Sequence, residues 1–308
     1  MKRLLIALVV SCLSMALVSA EKIKVVTTFL PIYAHTKSIV GELAEVRSLV
    51  ESGGEPHDFQ FKPSDIKKLS EADLIVMNGV GIENWLDKPL EKFKGGKKIV
   101  VDTSVGVDLL ENPQVIELTA ARSKEKHSHD GHQCEGHGDG KNPHIWLDPI
   151  NAQKQVKNIL KGLIQADPKN QEGYEANAAR YLKELEQLDQ EFKTQMEGLK
   201  NKNLITFHDA FVYLAQRYNF KYIGCIEDFP SKSPSPQILK ATVDLIRKHQ
   251  VKTVFVEEGY SQRSLQSIAR ESGAKIATLD TLEVGESEAG AYLKRMRSNL
   301  EILKNAWK

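Results

Sequence analysis

Eight short runs rich in β-branched residues, each followed by turn residues or an amphipathic stretch, constrain this chain more than any other feature. Four come early: KIKVVTT (22–28), EVRSLV (45–50), DLIVMNG (73–79) and KKIVVDT (97–103). Four come late: NLITFH (203–208), KYIGCI (221–226), KTVFVEE (252–258) and KIATLD (275–280). Runs of this length and composition read as strands. Strands that alternate with helical stretches favour a parallel sheet covered on both faces. The segment FKPSDIKKLSEA carries a helix start, with Ser64 as the expected cap and Ile66, Leu69 and Ala72 on one face. Further helices are expected near 209–218, 236–249, 261–272 and 287–306.

Between the two sets lies DPKNQEGYEANAARYLKELEQLDQEFKTQMEGLKNK. Asp167 suits a cap and Pro168 the first turn, while Tyr174, Ala178, Tyr181, Leu185, Leu188 and Phe192 recur at helical spacing. The pattern predicts one helix over 168–199, about 48 Å long. That is enough to run along two lobes. The expected architecture is α/β, with two similar lobes, each a roughly four-stranded parallel sheet with flanking helices. One long rigid helix joins them, and a cleft lies between. The first lobe takes residues 21–150, the helical connection 151–202 and the second lobe 203–308.

Residues 1–20 read as a cleaved signal peptide: Lys2 and Arg3, an apolar run from Leu4 to Leu17, then Val18-Ser19-Ala20. The run is too short to span a bilayer, which takes about 20 apolar residues. Val9-Val10-Ser11-Cys12 also has the form of a lipidation site, but the apolar run continues past Cys12 and no polar tether follows. Export to the periplasm is therefore expected. About 288 mature residues suffice for two lobes with full cores. With 42 basic against 41 acidic side chains, nothing suggests nucleic acid or an acidic membrane surface as partner. Cys134 and Cys225 remain in the exported chain, and their pairing is open.

The rhythm of strands breaks between 106 and 143. The tract 123–142 has no large apolar side chain and is dense in His, Gly, Asp and Lys, so it cannot bury a core. It holds His127, His129, His132 and His137, four histidines in eleven residues, with Asp130, Cys134 and Glu135 among them. That bias points to metal. A flexible tract binds more weakly and less selectively than a fixed site, because ordering it costs entropy at each event.

Ligands of parallel sheets bind beyond the carboxyl ends of the strands. His57 follows the second strand run, His144 follows the His-rich tract, His208 closes NLITFH, and Asp280 closes KIATLD. Three imidazoles and a carboxylate, two from each half, suit a divalent transition metal. Each residue also has a structural explanation, as a hydrogen-bonded core or surface group. His35 on the first helix is either such a group or a neighbour of the site, and His249 ends a helix. A zinc hydrolase is the competing class. Glu257 or Glu258 would then serve as base, but no HExxH helix is present.

The phrases EPHDFQFKPSD, NPHIWLDP, ITFHDAFVYLAQRY, VEEGYSQRSLQSIARESGAK and LDTL, in order along the mature chain, resemble the zinc- and manganese-binding periplasmic solute-binding proteins that feed ABC importers. The resemblance implies two four-stranded α/β lobes, a long connecting helix and a metal between them. Carried over position by position, it implies His57, His144, His208 and Asp280 as ligands, Zn²⁺ as cargo and a membrane permease as partner, for a monomeric receptor that is not an enzyme. His208 stands where manganese members usually have a carboxylate, and nitrogen donors suit zinc. A manganese receptor and an adhesin are the alternatives within the resemblance. Asp58, Asp209 and Glu258 are candidates for orienting the rings. The disulfide that many zinc members carry in the second lobe has no obvious counterpart, since Cys225 lacks a partner cysteine in that half.

Overall fold

The computed structural model describes residues 21–93, 96, 98–111, 140–226, 234–257 and 262–308. The leader 1–20, with Cys12, and residues 112–139, with Cys134 and the four clustered histidines, lie outside the described residues.

Each of the eight β-branched runs forms a strand. In the first lobe these are β1 (Lys24–Thr27), β2 (Glu45–Ser48), β3 (Leu74–Met77) and β4 (Ile99–Asp102). They pair in the order β2-β1-β3-β4, all parallel. In the second lobe β5 (Asn203–Thr206) pairs in parallel with β6 (Lys221–Cys225), and β7 (Thr253–Val256) with β8 (Lys275–Thr278). β5 lies beside β7, so the strands follow one another as β6-β5-β7-β8, in the manner of the first lobe, but as two hydrogen-bonded pairs where one four-stranded sheet was expected. Within each sheet the loops that follow the strands leave the same end, because the pairings are parallel.

Helices α1 (Leu30–Val40), α2 (Pro63–Glu71) and α3 (Asp87–Glu91) belong to the first lobe. The start of α2 differs from expectation. Lys62 is the N-cap and Pro63 the first helical residue, and Asp65 accepts the Lys62 N–H at 2.9 Å. Ser64 thus lies inside the helix, because proline fills the first position and the acidic group reaches back from the third.

The connection between lobes consists of α4 (Pro149–Ala166) and α5 (Gln171–Met196). Residues 168–170 form a 3₁₀ turn, so the long helix begins three residues later than expected. Asp167 directs its carboxylate at Tyr174 Oη and Asn170 Nδ2 (2.8 and 2.7 Å) instead of capping. The helix stops before Gly198, whose φ of +76° ends it short of residue 199. At 26 residues it spans about 39 Å. All six residues of its expected apolar face are buried. That face packs on α1 and α4 and on α9 (Ala291–Trp307), the last helix of the second lobe. The remaining helices are α6 (Val212–Arg217), α7 (Pro236–His249) and α8 (Gln262–Ser272). One continuous apolar cluster runs from Val25 and Val76 through Tyr174 and Leu188 to Phe255 and Leu303, joining both lobes through the long helix.

Candidate metal centre

His57 sits in the loop between β2 and α2. The Trp85 indole donates to the Pro56 carbonyl at 2.8 Å, and Phe59 and Phe61 pack on the same indole with ring centroids 4.6 and 5.3 Å away. These aromatics hold the loop down, and the His57 side chain is 1% exposed. Its Nε2 lies 2.7 Å from Glu283 Oε1.

His144 enters from the turn before α4 and is completely buried. Asn142 fixes it. The amide Nδ2 of Asn142 donates to the Asp209 carbonyl at 2.8 Å, so its Oδ1 faces the other way. That oxygen is 3.0 Å from both the backbone N and Nδ1 of His144. Nδ1 therefore carries the proton, and Nε2 presents a lone pair. The Asn142 carbonyl accepts from Tyr213 Oη, and the Pro143 carbonyl accepts from Asn78 Nδ2. The end of the tract 123–142 is thus anchored, contrary to the mobility expected from its composition: Asn142 is buried and hydrogen-bonded across the fold.

His208 follows β5, its carbonyl held by Thr206 Oγ1 at 2.6 Å. Glu257, just after β7, approaches Nδ1 at 3.4 Å and orients the ring so that Nε2 faces His144 Nε2 at 3.3 Å. Burial by itself would favour the neutral ring. Glu257, then Glu283 and Asp209, outweigh it and raise the His208 pKa to about 9. Burial lowers His144 to about 4, against the pull of Glu283. Burial would likewise keep Glu283 protonated, yet His57 and His144 hold its carboxyl well below the usual range.

The carboxylate that joins the three rings is Glu283, not Asp280. Glu283 Oε1 lies 3.2 Å from His144 Nε2 and Oε2 lies 3.7 Å from His208 Nε2. β8 ends at Thr278, so the loop begins before Asp280. Asp280 Oδ1 accepts the Leu282 N–H at 2.7 Å, and its carboxylate pairs with Arg295 Nη1 at 3.2 Å. Arg295 also donates to the Val284 carbonyl, while the Asn299 amide exchanges two hydrogen bonds with the Asp280 backbone. The sequence does hold the signal for Glu283, a second acid three residues on in the same loop. Among the other expected helpers, Asp58 is exposed and Asp209 is buried beside His208, while Glu258 lies outside the described residues. His35 is buried against Tyr181, its Nδ1 2.9 Å from the hydroxyl, and does not join the ligand group.

One donor atom from each of His57, His144, His208 and Glu283 falls within 4.8 Å of the other three. A tetrahedral ion with bonds of about 2.0–2.1 Å separates its ligand atoms by roughly 3.3 Å. The separations of 2.7, 3.2, 3.3 and 3.7 Å bracket that edge. Four buried nitrogen and oxygen donors that converge in this way suit a bare cation.

Two α/β lobes on a shared helical spine, with imidazoles from both and one carboxylate meeting between them, define a metal-binding cleft protein. Residues 25–306 match the family model for ZnuA, the periplasmic component A of the zinc-uptake complex, and the chain belongs to this family. It is 36% identical over 290 residues to the high-affinity zinc uptake system protein ZnuA of Bacillus subtilis, covering 93% of this chain and 88% of that protein. It is 35% identical to the zinc-binding protein AdcA of Streptococcus pyogenes, over 92% of this chain but only 56% of AdcA, so it spans about half the length of that relative. The crystal structure of the Zn(II)-bound ZnuA-like domain of Streptococcus pneumoniae AdcA superposes with a TM-score of 0.75 at 28% identity, covering 93% of this chain and 99% of that one.

Proposed function

We propose that this chain is an extracytoplasmic receptor that captures Zn²⁺ in the cleft and delivers it to the permease of an ABC importer. His57, His144 and His208 each bind through Nε2, and Glu283 through a carboxylate oxygen. The observation that carries the reading is the meeting of these four donors, from four distant places in the chain, within one coordination sphere. Membership of the zinc-uptake family and the zinc named in its relatives support it. Three nitrogen donors against one oxygen favour zinc over manganese.

A receptor accounts for the site better than a hydrolase does. Glu257 stands on the Nδ1 side of His208, away from the ion, so it orients a ligand instead of activating water. All four donors belong to one chain, which supports a monomer. No described helix is long and apolar enough to cross a membrane. The histidines at 127, 129, 132 and 137 form a weaker collecting site, a role supported by their composition alone.

Competition titration of metal-free protein against a chromophoric zinc chelator tests the reading. One tight equivalent is expected, lost in His144→Ala, with manganese binding far more weakly. Tight zinc binding that survives His144→Ala would overturn it.

A further inference from the structure

Trp146 lies two residues after His144, completely buried, in the 3₁₀ turn Ile145–Leu147. Its indole Nε1 donates to the Thr281 carbonyl at 2.8 Å, two residues before Glu283. Its own carbonyl accepts from Tyr292 Oη at 2.6 Å, at the start of α9. Trp146 is therefore bonded to the second lobe at both its polar ends, while its ring meets Phe29 of the first lobe edge-on at 5.0 Å and the His144 ring at 5.2 Å. No other tryptophan is held this way: Trp85 donates within its own lobe and Trp307 within the second.

We propose that Trp146 is a positioning residue, a spacer that sets the distance between the His144 arm and the Glu283 arm of the site. This rests on the proposed binding of zinc there. The indole N–H and the hydroxyl of Tyr292 satisfy two buried carbonyls, so the separation between the two segments is fixed by the size of one rigid ring. The internal braces of the Glu283 loop, Asp280 with Arg295 and Asn299, set its shape. Metal sites held within about half an ångström depend on such supports, and removing a support of a ligand typically costs 10–100-fold in affinity.

The test uses the full chain with Trp146→Phe, Tyr292→Phe, Glu283→Gln and the double variants, titrated with zinc and with cobalt. Trp146→Phe keeps the apolar ring and removes the donor. It is expected to weaken zinc binding by about 10–100-fold and to dim the visible cobalt bands of a four-coordinate site in the manner of Glu283→Gln. Added to Glu283→Gln, it should cost little more, because it acts through that arm. Tyr292→Phe should shift affinity in the same direction by a smaller factor, again without addition to Glu283→Gln. It carries the test if Trp146→Phe does not fold by circular dichroism. Wild-type affinity in the folded variants, or losses that multiply with that of Glu283→Gln, would overturn the proposal. His144→Ala separates the two ideas: if it too binds normally, the site itself is wrong, whereas its loss alone sinks only the spacer.

Discussion

Asp280 accepts the Leu282 N–H, stabilising a left-handed backbone at Leu282 (φ +63°) that turns Glu283 toward the three rings. A non-glycine residue in this region carries strain of about 1–3 kcal/mol, so the turn needs its acceptor. Glu283→Gln, which removes a charged ligand, should lower zinc affinity by at least the roughly 10–100-fold typical of losing a support. Asp280→Asn keeps an acceptor for Leu282 and should lower it less than about tenfold on the same scale. A chelator competition that ranks them the other way would return Asp280 to the ligand set. His35 makes a separate prediction. Burial lowers its pKa from 6.5 to about 3, so between these values the unfolded chain binds a proton that the folded chain refuses. Stability from this residue is therefore present above pH 6.5 and is lost as pH falls, by about 1.4 kcal/mol per unit. In metal-free protein, melting temperature should fall less steeply from pH 6 to 4.5 in His35→Gln than in wild type. Equal slopes would contradict the assignment.

At the scale of elements, α4 lies close against the first sheet because Gly162 leaves room for it. A Cβ there would collide with Val101 Cγ2 of β4, a short branched side chain that cannot swing aside. Gly162→Ala should destabilise the protein by about 1–3 kcal/mol in urea titration, and an unchanged midpoint would show that the helix can shift. The strands could be read from the sequence because β-branched runs bounded by turn residues are local signals, and His57 and His208 stood in loops that follow such runs. What could not be read was whatever depends on distant partners. Asn142 carries no local mark of its role; it is set by Asp209 and Tyr213, 67 and 71 positions away. Glu257 shows itself as the partner of His208 only once β5 and β7 lie side by side. The start of the long helix moved for a more local reason, since the Asp167 carboxylate is taken by the side chains of Tyr174 and Asn170.

At the scale of the molecule, the apolar cluster that crosses both lobes through α5 resists separation of one lobe from the other. Small-angle scattering should therefore show a nearly unchanged radius of gyration on adding zinc. A large compaction would mean that the spine bends. The His-rich tract can be removed without disturbing the cleft only if the cut spares the residues that hold His144. Deleting 123–139, and leaving Gly140, Lys141 and Asn142, should abolish weak zinc equivalents while keeping one tight equivalent by calorimetry. Loss of the tight one would merge the two sites into one.

His57 and Glu283, in contact across the cleft, are 226 positions apart in the chain. No partial product of synthesis that stops before residue 283 can own the site, because its last ligand has not yet been made. A cation that binds the finished form and not the unfolded one raises stability with its concentration. Zinc supply should then govern how long each receptor survives proteases, and a cell starved of the ion would turn over its own means of finding it.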